Sequence, residues 1–143
     1  MILKDSIEIH TSPEKILDWL LHLEENYNAW HPDHVACSWT GEPRRVGSVL
    51  SIEEYIHGEL HKMKFRLTRI DETRIEYDIL FPLSIICPRG SFHTNPQNDN
   101  CIFVVTLTFR WGHLLSILFR NRIEALKTHM REEGENLKRI LEA

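Results

Sequence analysis

The sequence predicts an α+β fold in which a curved antiparallel β-sheet wraps around a long C-terminal helix. A strand-like pattern, with apolar residues at every second position, occupies most of the chain between residues 35 and 111. A single long helical pattern follows, over roughly residues 114–141. Each element has only one apolar face, so the sheet and the helix bury their apolar faces against each other.

Composition narrows the class of protein. The 143 residues are 42% hydrophobic and 27% charged, which predicts one folded domain over residues 1–143. The net charge of −4 and the lack of basic blocks argue against nucleic acid as the main partner. No apolar run reaches the roughly 18 residues of a membrane span, and no membrane partner is expected. The N-terminus lacks a signal-peptide pattern and the three cysteines are widely spaced, so we expect a cytoplasmic protein with free thiols.

The N-terminal elements are one strand followed by one or two short helices. Residues 2–10 predict a strand whose buried face carries Leu3, Ile7 and Ile9. Ser12 can cap the next helix, and Pro13 suits the first helical position. Residues 26–34 predict either a loop or a short second helix.

The middle and end of the chain predict a meander of strands and then the long helix. Turn signals divide the strands near residues 41–43, 58, 71–73, 88–90 and 95–100. Alternation places two sets of residues on shared buried faces: Ile75, Tyr77, Ile79 and Phe81, then Phe103, Val105, Leu107, Phe109 and Trp111. The buried stripe of the helix carries Leu126, Met130, Leu137 and Leu141. No exposed apolar patch is evident.

Glu54 breaks the apolar pattern of its strand. In residues 46–58 it shares a face with Leu50, Ile52 and Ile56. Burial of an ionised carboxylate without a partner is strongly unfavourable, so Glu54 requires a cation, a metal or a proton. The alternatives are an inverted register or a position at the solvated rim of the sheet.

His129 and Glu133 form a second polar interruption, within the buried stripe of the helix. Residues four apart project from the same side of a helix, so these two side chains can converge on one point. Such a pair can offer a metal one imidazole nitrogen and one carboxylate oxygen. Gly134 lowers helix stability and would open space beside Glu133. The alternative is an ordinary His–Glu hydrogen bond.

Most of the nine histidines carry no functional signal, but His31 and His34 lie close together around Pro32. The proline stiffens the backbone, so the segment can supply one fixed imidazole. The alternative is a surface turn in which Trp30 is the core anchor and both histidines are solvated. His61 is ambiguous, and solvated positions are expected for His10, His22, His57, His93 and His113.

Together, two histidines and two glutamates from three distant segments predict a metal site between the sheet and the helix. Such a donor set suits Zn²⁺ or another divalent transition metal. Four protein ligands leave room for a water if the metal becomes five-coordinate, and the metal would then activate that water. Whether His31 or His34 is the ligand stays open at this point.

The order of elements resembles the helix-grip fold of the START and pollen-allergen-like (SRPBCC) superfamily, which implies a cavity between sheet and helix. A narrower resemblance is carried by three motifs: Tyr27-x-x-Trp30-His31-Pro32-x-His34, Glu54-x-Ile56-x-Gly58 and His129-x-x-x-Glu133. They are similar to the metal-site elements of the diacetylphloroglucinol and phloretin hydrolases. Those enzymes use zinc to hydrolyse a carbon–carbon bond between an aromatic ring and an acyl group.

The resemblance implies zinc ligands at His34, Glu54, His129 and Glu133, and a substrate contact at Tyr27. The spacing before His34 is one residue shorter than in those hydrolases, so His31 stays a rival ligand, and the whole chain is much shorter.

The leading hypothesis is a zinc-dependent hydrolase of an acylated aromatic or ketonic small molecule, with Tyr27 and His31 hydrogen-bonding the substrate. The second is a metal-free carrier or cyclase-like protein that binds a small hydrophobic ligand. The third is a protein-interaction module.

Overall fold

The computed structural model describes residues 1–143, and its framework is a seven-stranded antiparallel sheet with four α-helices. The elements are β1 (Ile2–Ile9), α1 (Pro13–Leu21), α2 (Leu23–Trp30), β2 (His34–Thr40), β3 (Val49–Ile56), β4 (Glu59–Ile70), β5 (Arg74–Ile79), β6 (Arg89–Gln97), β7 (Asn100–Thr108), α3 (Gly112–Leu118) and α4 (Arg120–Glu142). A short 3₁₀ turn, Leu83–Ile85, lies between β5 and β6.

The sheet order is β1-β7-β6-β5-β4-β3-β2, and every neighbouring pair is antiparallel. Strands β2 to β7 follow one another in sequence, and β1 closes the order by pairing with β7. The long helix α4 packs on the sheet, and its closest strand is β1. The predicted α+β class, with a curved antiparallel sheet around a C-terminal helix, is confirmed.

The N-terminal elements form as their sequence predicts. The Ser12 hydroxyl accepts a hydrogen bond from the Lys15 backbone N–H at 3.4 Å, and Pro13 opens α1. The segment over residues 26–34, predicted as a loop or short helix, is the end of α2 followed by a turn into β2.

The C-terminal helix differs from its prediction. Residues 114–141 form two helices, α3 and α4, which are separated at Phe119. Apolar periodicity does not reveal the break, because buried Leu115 and Ile123 are eight residues apart, a spacing that a continuous helix also satisfies. The predicted stripe does face inward, with Met130 and Leu137 buried.

Two residues assigned to buried strand faces are exposed instead. Phe81 is 78% exposed and Trp111 is 57% exposed. Strand β5 ends at Ile79 and β7 ends at Thr108, so alternation no longer determines side-chain direction at either residue. All three cysteines are free, as expected.

A cavity of about 320 Å³ lies between the sheet and the helices. Most of its lining is apolar, and three of the lining side chains are the aromatic rings of Phe65, Tyr77 and Phe92. The rings of Phe65 and Tyr77 stack with centroids 4.7 Å apart. A cavity of this size and lining suits a small, largely apolar molecule.

Candidate metal centre

Four polar side chains from three elements meet between the sheet and α4. His34 begins β2, Glu54 lies on β3, and His129 and Glu133 lie on α4. Each offers one ligand atom, and these four atoms all lie within 4.8 Å of one another. The structure therefore brings together the four residues that the sequence selected as candidate ligands. We call them the His₂Glu₂ cluster.

Backbone geometry explains why the four residues converge. His34 is the direct cross-strand partner of Glu54 in the β2–β3 ladder, so their side chains lie on one face. The register then shifts between His34 and Ala36, which sets His34 apart from the rest of β2. His129 and Glu133 are one helical turn apart on α4 and face the same point.

Five of the six pairs among the four atoms lie 2.9–3.5 Å apart. The Nε2 atom of His34 lies 3.2 Å from Glu54 Oε2, 2.9 Å from Glu133 Oε2 and 3.4 Å from His129 Nε2. The Nε2 atom of His129 lies 3.4 Å from Glu54 Oε2 and 3.5 Å from Glu133 Oε2. The same four atoms thus recur in every contact of the cluster.

Tyr27 fixes the orientation of His34. The His34 Nδ1 atom donates to the Tyr27 carbonyl oxygen at 2.8 Å, and the two rings stack with centroids 3.8 Å apart. With Nδ1 occupied in this way, Nε2 is directed at the carboxylates. A backbone partner on the second ring nitrogen is the usual arrangement for a metal-binding histidine.

Tyr27 also contacts the cluster directly, because its hydroxyl donates to Glu54 Oε2 at 2.6 Å. Burial and the neighbouring Glu54 charge raise the pKa of Tyr27, so its hydroxyl stays a proton donor. Burial alone would raise the pKa of Glu54, but hydrogen bonds from His129 and His34 hold that pKa well below its usual value. Glu54 is therefore ionised.

The two histidines carry protons in the metal-free cluster. Burial alone would lower both pKa values, but hydrogen bonds to Glu133 and Glu54 outweigh it. They raise the pKa of His34 to about 9 and the pKa of His129 to about 10. The cluster thus pairs two imidazolium groups with two carboxylates.

His31 lies behind the cluster. It is 3% exposed, so the predicted alternative of a solvated histidine is wrong. Its Nδ1 accepts the Asp33 backbone N–H at 3.0 Å, which places the proton on Nε2, and Nε2 donates to Glu132 Oε2 at 3.1 Å. Although His31 lies within 4.8 Å of His34 and His129, its two nitrogens are already engaged.

The cluster borders the cavity on one side. Tyr27, Glu54, His129 and Glu133 line it, whereas neither His31 nor His34 does. The structure thus brings Tyr27 to the cavity wall, but it does not bring His31 there. Since His31 is held by Asp33 and Glu132 instead, the predicted hydrogen bond from His31 to substrate is not supported.

Two hydrogen bonds beside the cluster were not predicted from the sequence. The indole N–H of Trp30 donates to the Glu133 carbonyl at 2.8 Å, and the Asn136 side chain donates to the Trp30 carbonyl at 2.8 Å. These bonds tie α2 to α4 beside the cluster. Nothing in the sequence pattern marks Asn136. Gly134 does not open space beside Glu133, because it faces β1 at Asp5.

The remaining histidines stay outside the cluster. His10, His57 and His113 are exposed, and His22 and His93 are half-buried. His61 is half-buried and lines the cavity.

Comparison with known proteins shows the family to which the chain belongs. Residues 2–142 match the family described as polyketide cyclase/dehydrase and lipid transport, and the chain belongs to that family. The predicted membership of the helix-grip SRPBCC superfamily is thereby confirmed. A search of curated proteins found no significant match. None of the helices has the length and hydropathy needed to cross a membrane.

Solved structures share the fold. The di-domain ARO/CYC protein BexL of the BE-7585A biosynthetic pathway aligns with a TM-score of 0.77 at 15% identity, over 100% of this chain and 50% of BexL. The chain thus spans half the length of that protein. TTHA0849 from Thermus thermophilus aligns with a TM-score of 0.76 at 14% identity, over 97% and 95% of the two chains.

Norcoclaurine synthase from Thalictrum flavum, solved with dopamine and hydroxybenzaldehyde, has a TM-score of 0.74 and 14% identity, over 99% of this chain and 86% of the synthase. The narrower resemblance to the diacetylphloroglucinol and phloretin hydrolases stays a prediction.

Proposed function

We propose that this protein binds a small, largely apolar molecule in its cavity and holds a divalent metal, zinc foremost, through the His₂Glu₂ cluster. The spacing of the four ligand atoms carries the proposal. Zinc bonds to nitrogen and oxygen are about 2.0–2.1 Å long, so the corners of its tetrahedron lie roughly 3.3–3.4 Å apart. Five of the six atom pairs in the cluster lie 2.9–3.5 Å apart, a range that brackets that value, and all four ligand atoms lie within 4.8 Å of one another.

Charge balance supports the same proposal. Metal binding requires neutral imidazoles, so one divalent ion would displace the protons of His34 and His129. The cluster would lose two positive charges with the two protons and gain two with the metal ion. The net charge of this buried cluster would therefore not change, and no new uncompensated charge would need to be buried.

The finer proposal is hydrolysis of a carbon–carbon bond in an acylated aromatic or ketonic molecule. A divalent metal supplies a Lewis acid and an activated water to such a reaction. The cavity side of the cluster is where a substrate carbonyl would approach, beside the Tyr27 hydroxyl. The rings of Phe65, Tyr77 and Phe92 would pack against an aromatic substrate.

A metal-free carrier or cyclase-like protein is the second candidate, and one observation favours it. Every polar side chain of the cluster already has hydrogen-bond partners within the protein. A satisfied ionic cluster can persist without a metal and orient a ligand by hydrogen bonds alone. The matching family description also includes cyclases and lipid transport.

Elemental analysis of untagged protein, purified at neutral pH without chelator, tests the metal proposal. We expect close to one zinc per chain, and loss of that zinc in Glu133→Gln. The neighbouring Glu132→Gln variant is the matched control, because Glu132 bonds His31 and lies outside the cluster. Absence of metal from the purified protein and from zinc-dialysed protein would favour the second candidate.

Substrate assays separate the two functions further. Acylated phenols with a ketone next to the ring would be incubated with zinc-loaded and with chelator-treated protein. Hydrolysis that requires zinc supports the finer proposal. Ligand binding of equal affinity in both preparations, without turnover, supports the carrier.

A further inference from the structure

Helix α3 and its flanking residues present a contiguous apolar surface to solvent, contrary to the expectation of no exposed patch. We call this surface the α3 face. Its members and their exposed fractions are Trp111 57%, Leu114 54%, Ile117 64%, Leu118 62% and Phe119 43%. Soluble monomers seldom expose a patch of this kind unless it binds something.

Helical spacing makes the surface continuous. Leu114, Ile117 and Leu118 are three and four residues apart, so they project from one side of α3. Leu115, about 100° further around the helix from Leu114, faces the core and is 7% exposed. The helix is therefore apolar on both its inner and its outer face.

The charged residues that flank the α3 face along the chain are all arginines. Residues 100–123 contain three arginines and no acidic residue, although the whole chain has a net charge of −4. Arg122 pairs with Glu59 at 2.9 Å, whereas Arg110 and Arg120 are exposed and lie within 4.0 Å of no carboxylate. A Trp- and Leu-rich surface flanked by arginine is complementary to the interface of an anionic bilayer.

The α3 face adjoins the opening of the cavity. Phe119 and Ile86 both line the cavity and are 43% and 37% exposed, so they form part of its rim. The Arg110 backbone N–H donates to the Ile86 carbonyl at 2.8 Å, which joins the start of α3 to the same rim. A surface that covers the α3 face would therefore also meet the cavity opening.

We propose that the α3 face docks on an anionic lipid surface and turns the cavity opening toward it. The α3 face contributes the apolar contacts, and Arg110 and Arg120 contribute attraction to anionic headgroups. A hydrophobic ligand then passes between the membrane interface and the cavity without crossing bulk water. This inference does not depend on the metal, and its test uses no enzymatic activity.

Vesicle co-sedimentation tests the docking. The probes are vesicles of phosphatidylcholine alone and vesicles with phosphatidylglycerol added, at low and at high salt. We expect binding to the anionic vesicles that weakens with salt. Ile117→Glu and Leu118→Glu should each reduce binding about tenfold or more, because each removes a large apolar contact. Arg120→Gln should reduce it about fivefold.

The control variant is Val46→Glu. Val46 is 61% exposed but precedes the N-terminal end of β3, whereas the cavity opening lies at the other end of that strand, beside Glu59 and Arg122. It should bind like the unaltered protein. Trp111 supplies a second readout, because Trp30 is buried and Trp19 and Trp39 are half-buried. Its emission should shift to shorter wavelength with anionic vesicles, and Trp111→Phe should abolish the shift.

Three results would overturn the proposal. The first is no binding to either vesicle. The second is vesicle binding that Ile117→Glu and Leu118→Glu leave unchanged. The third is a dimer in sedimentation that these two substitutions dissociate, which would assign the α3 face to a second copy of this chain.

Discussion

His34 is held by more contacts than any other residue of the cluster. One ring nitrogen donates to the Tyr27 carbonyl, the ring stacks on Tyr27, and the other nitrogen meets Glu133 at 2.9 Å. Its side chain is fully buried. The imidazole is therefore positioned before any metal or ligand arrives, which lowers the cost of ordering it on binding.

The protons on His34 and His129 make metal binding depend on pH. Their pKa values of about 9 and about 10 mean that both protons must leave when zinc binds at pH 7. We expect release of about two protons per zinc, measured by titration calorimetry in buffers of different ionisation enthalpy. Zinc affinity should rise steadily from pH 6 to pH 9. Binding without proton release, at an affinity independent of pH, would contradict this assignment.

The stability of the metal-free protein should change in the same pH range. The folded-state pKa values of His34 and His129 lie above the usual 6.5. The stabilisation that these two protonated histidines contribute is therefore fully present below pH 6.5 and is lost as pH rises through about 9 and 10. Urea unfolding should show a falling free energy of unfolding over this range, and His129→Gln should reduce the dependence. A free energy of unfolding that rises with pH over this range would contradict the prediction.

Helix α4 carries half of the cluster and also packs on β1. Gly134 lies next to Glu133 but faces the strand, where an added Cβ would lie 3.5 Å from Asp5 Oδ2 and 3.5 Å from Ile7 Cγ2. These are ordinary van der Waals distances. The glycine is therefore not required by packing, and it lowers the helical stability of α4.

Gly134→Ala should stabilise the protein by about 0.5–1 kcal/mol, because alanine favours the helix and the strand has room for the methyl group. Denaturant unfolding measures the change. Gly90→Ala is the contrasting variant, since its Cβ would meet the buried Tyr77 ring, and it should destabilise the protein by about 1–3 kcal/mol. Destabilisation by Gly134→Ala would show that α4 and β1 pack too closely to accept the added methyl group.

The convergence of the candidate ligands was predicted from the sequence more accurately than the boundaries of the helices. Strand alternation placed Glu54 on the inner face, and helical spacing placed His129 beside Glu133. Both patterns could be used because the strand period of about 2 residues and the helix period of about 3.6 residues follow from local backbone geometry. The choice between His31 and His34 depended on cross-strand register and on the Asp33 backbone N–H, which no local pattern encodes. The break at Phe119 was missed because apolar spacing continues across it.

At the scale of the whole molecule, the cluster and the α3 face both adjoin the cavity. The cluster borders the cavity at Glu54 and Glu133, and Leu115 of α3 and the neighbouring Phe119 also line it. The cavity of this chain thus has a mostly apolar lining with one polar wall at the cluster.

Filling the cavity should abolish ligand binding without unfolding the protein. Leu126 is half-buried and lines the cavity, so Leu126→Trp would occupy space where a ligand lies. We expect binding of the fluorescent probe 8-anilinonaphthalene-1-sulfonate to weaken at least about tenfold. Leu141→Trp is the matched control, because Leu141 is half-buried on the same helix and does not line the cavity. Equal probe binding by both variants would place the ligand elsewhere.

An anomalous-difference map from crystals of zinc-loaded protein tests the central claim most directly. We expect one peak about 2.0–2.2 Å from the Nε2 atoms of His34 and His129 and from carboxylate oxygens of Glu54 and Glu133. Glu133→Gln crystals treated identically should lack that peak. A zinc-loaded map without a peak among these four side chains, or with its peak on His31 instead, would contradict the account.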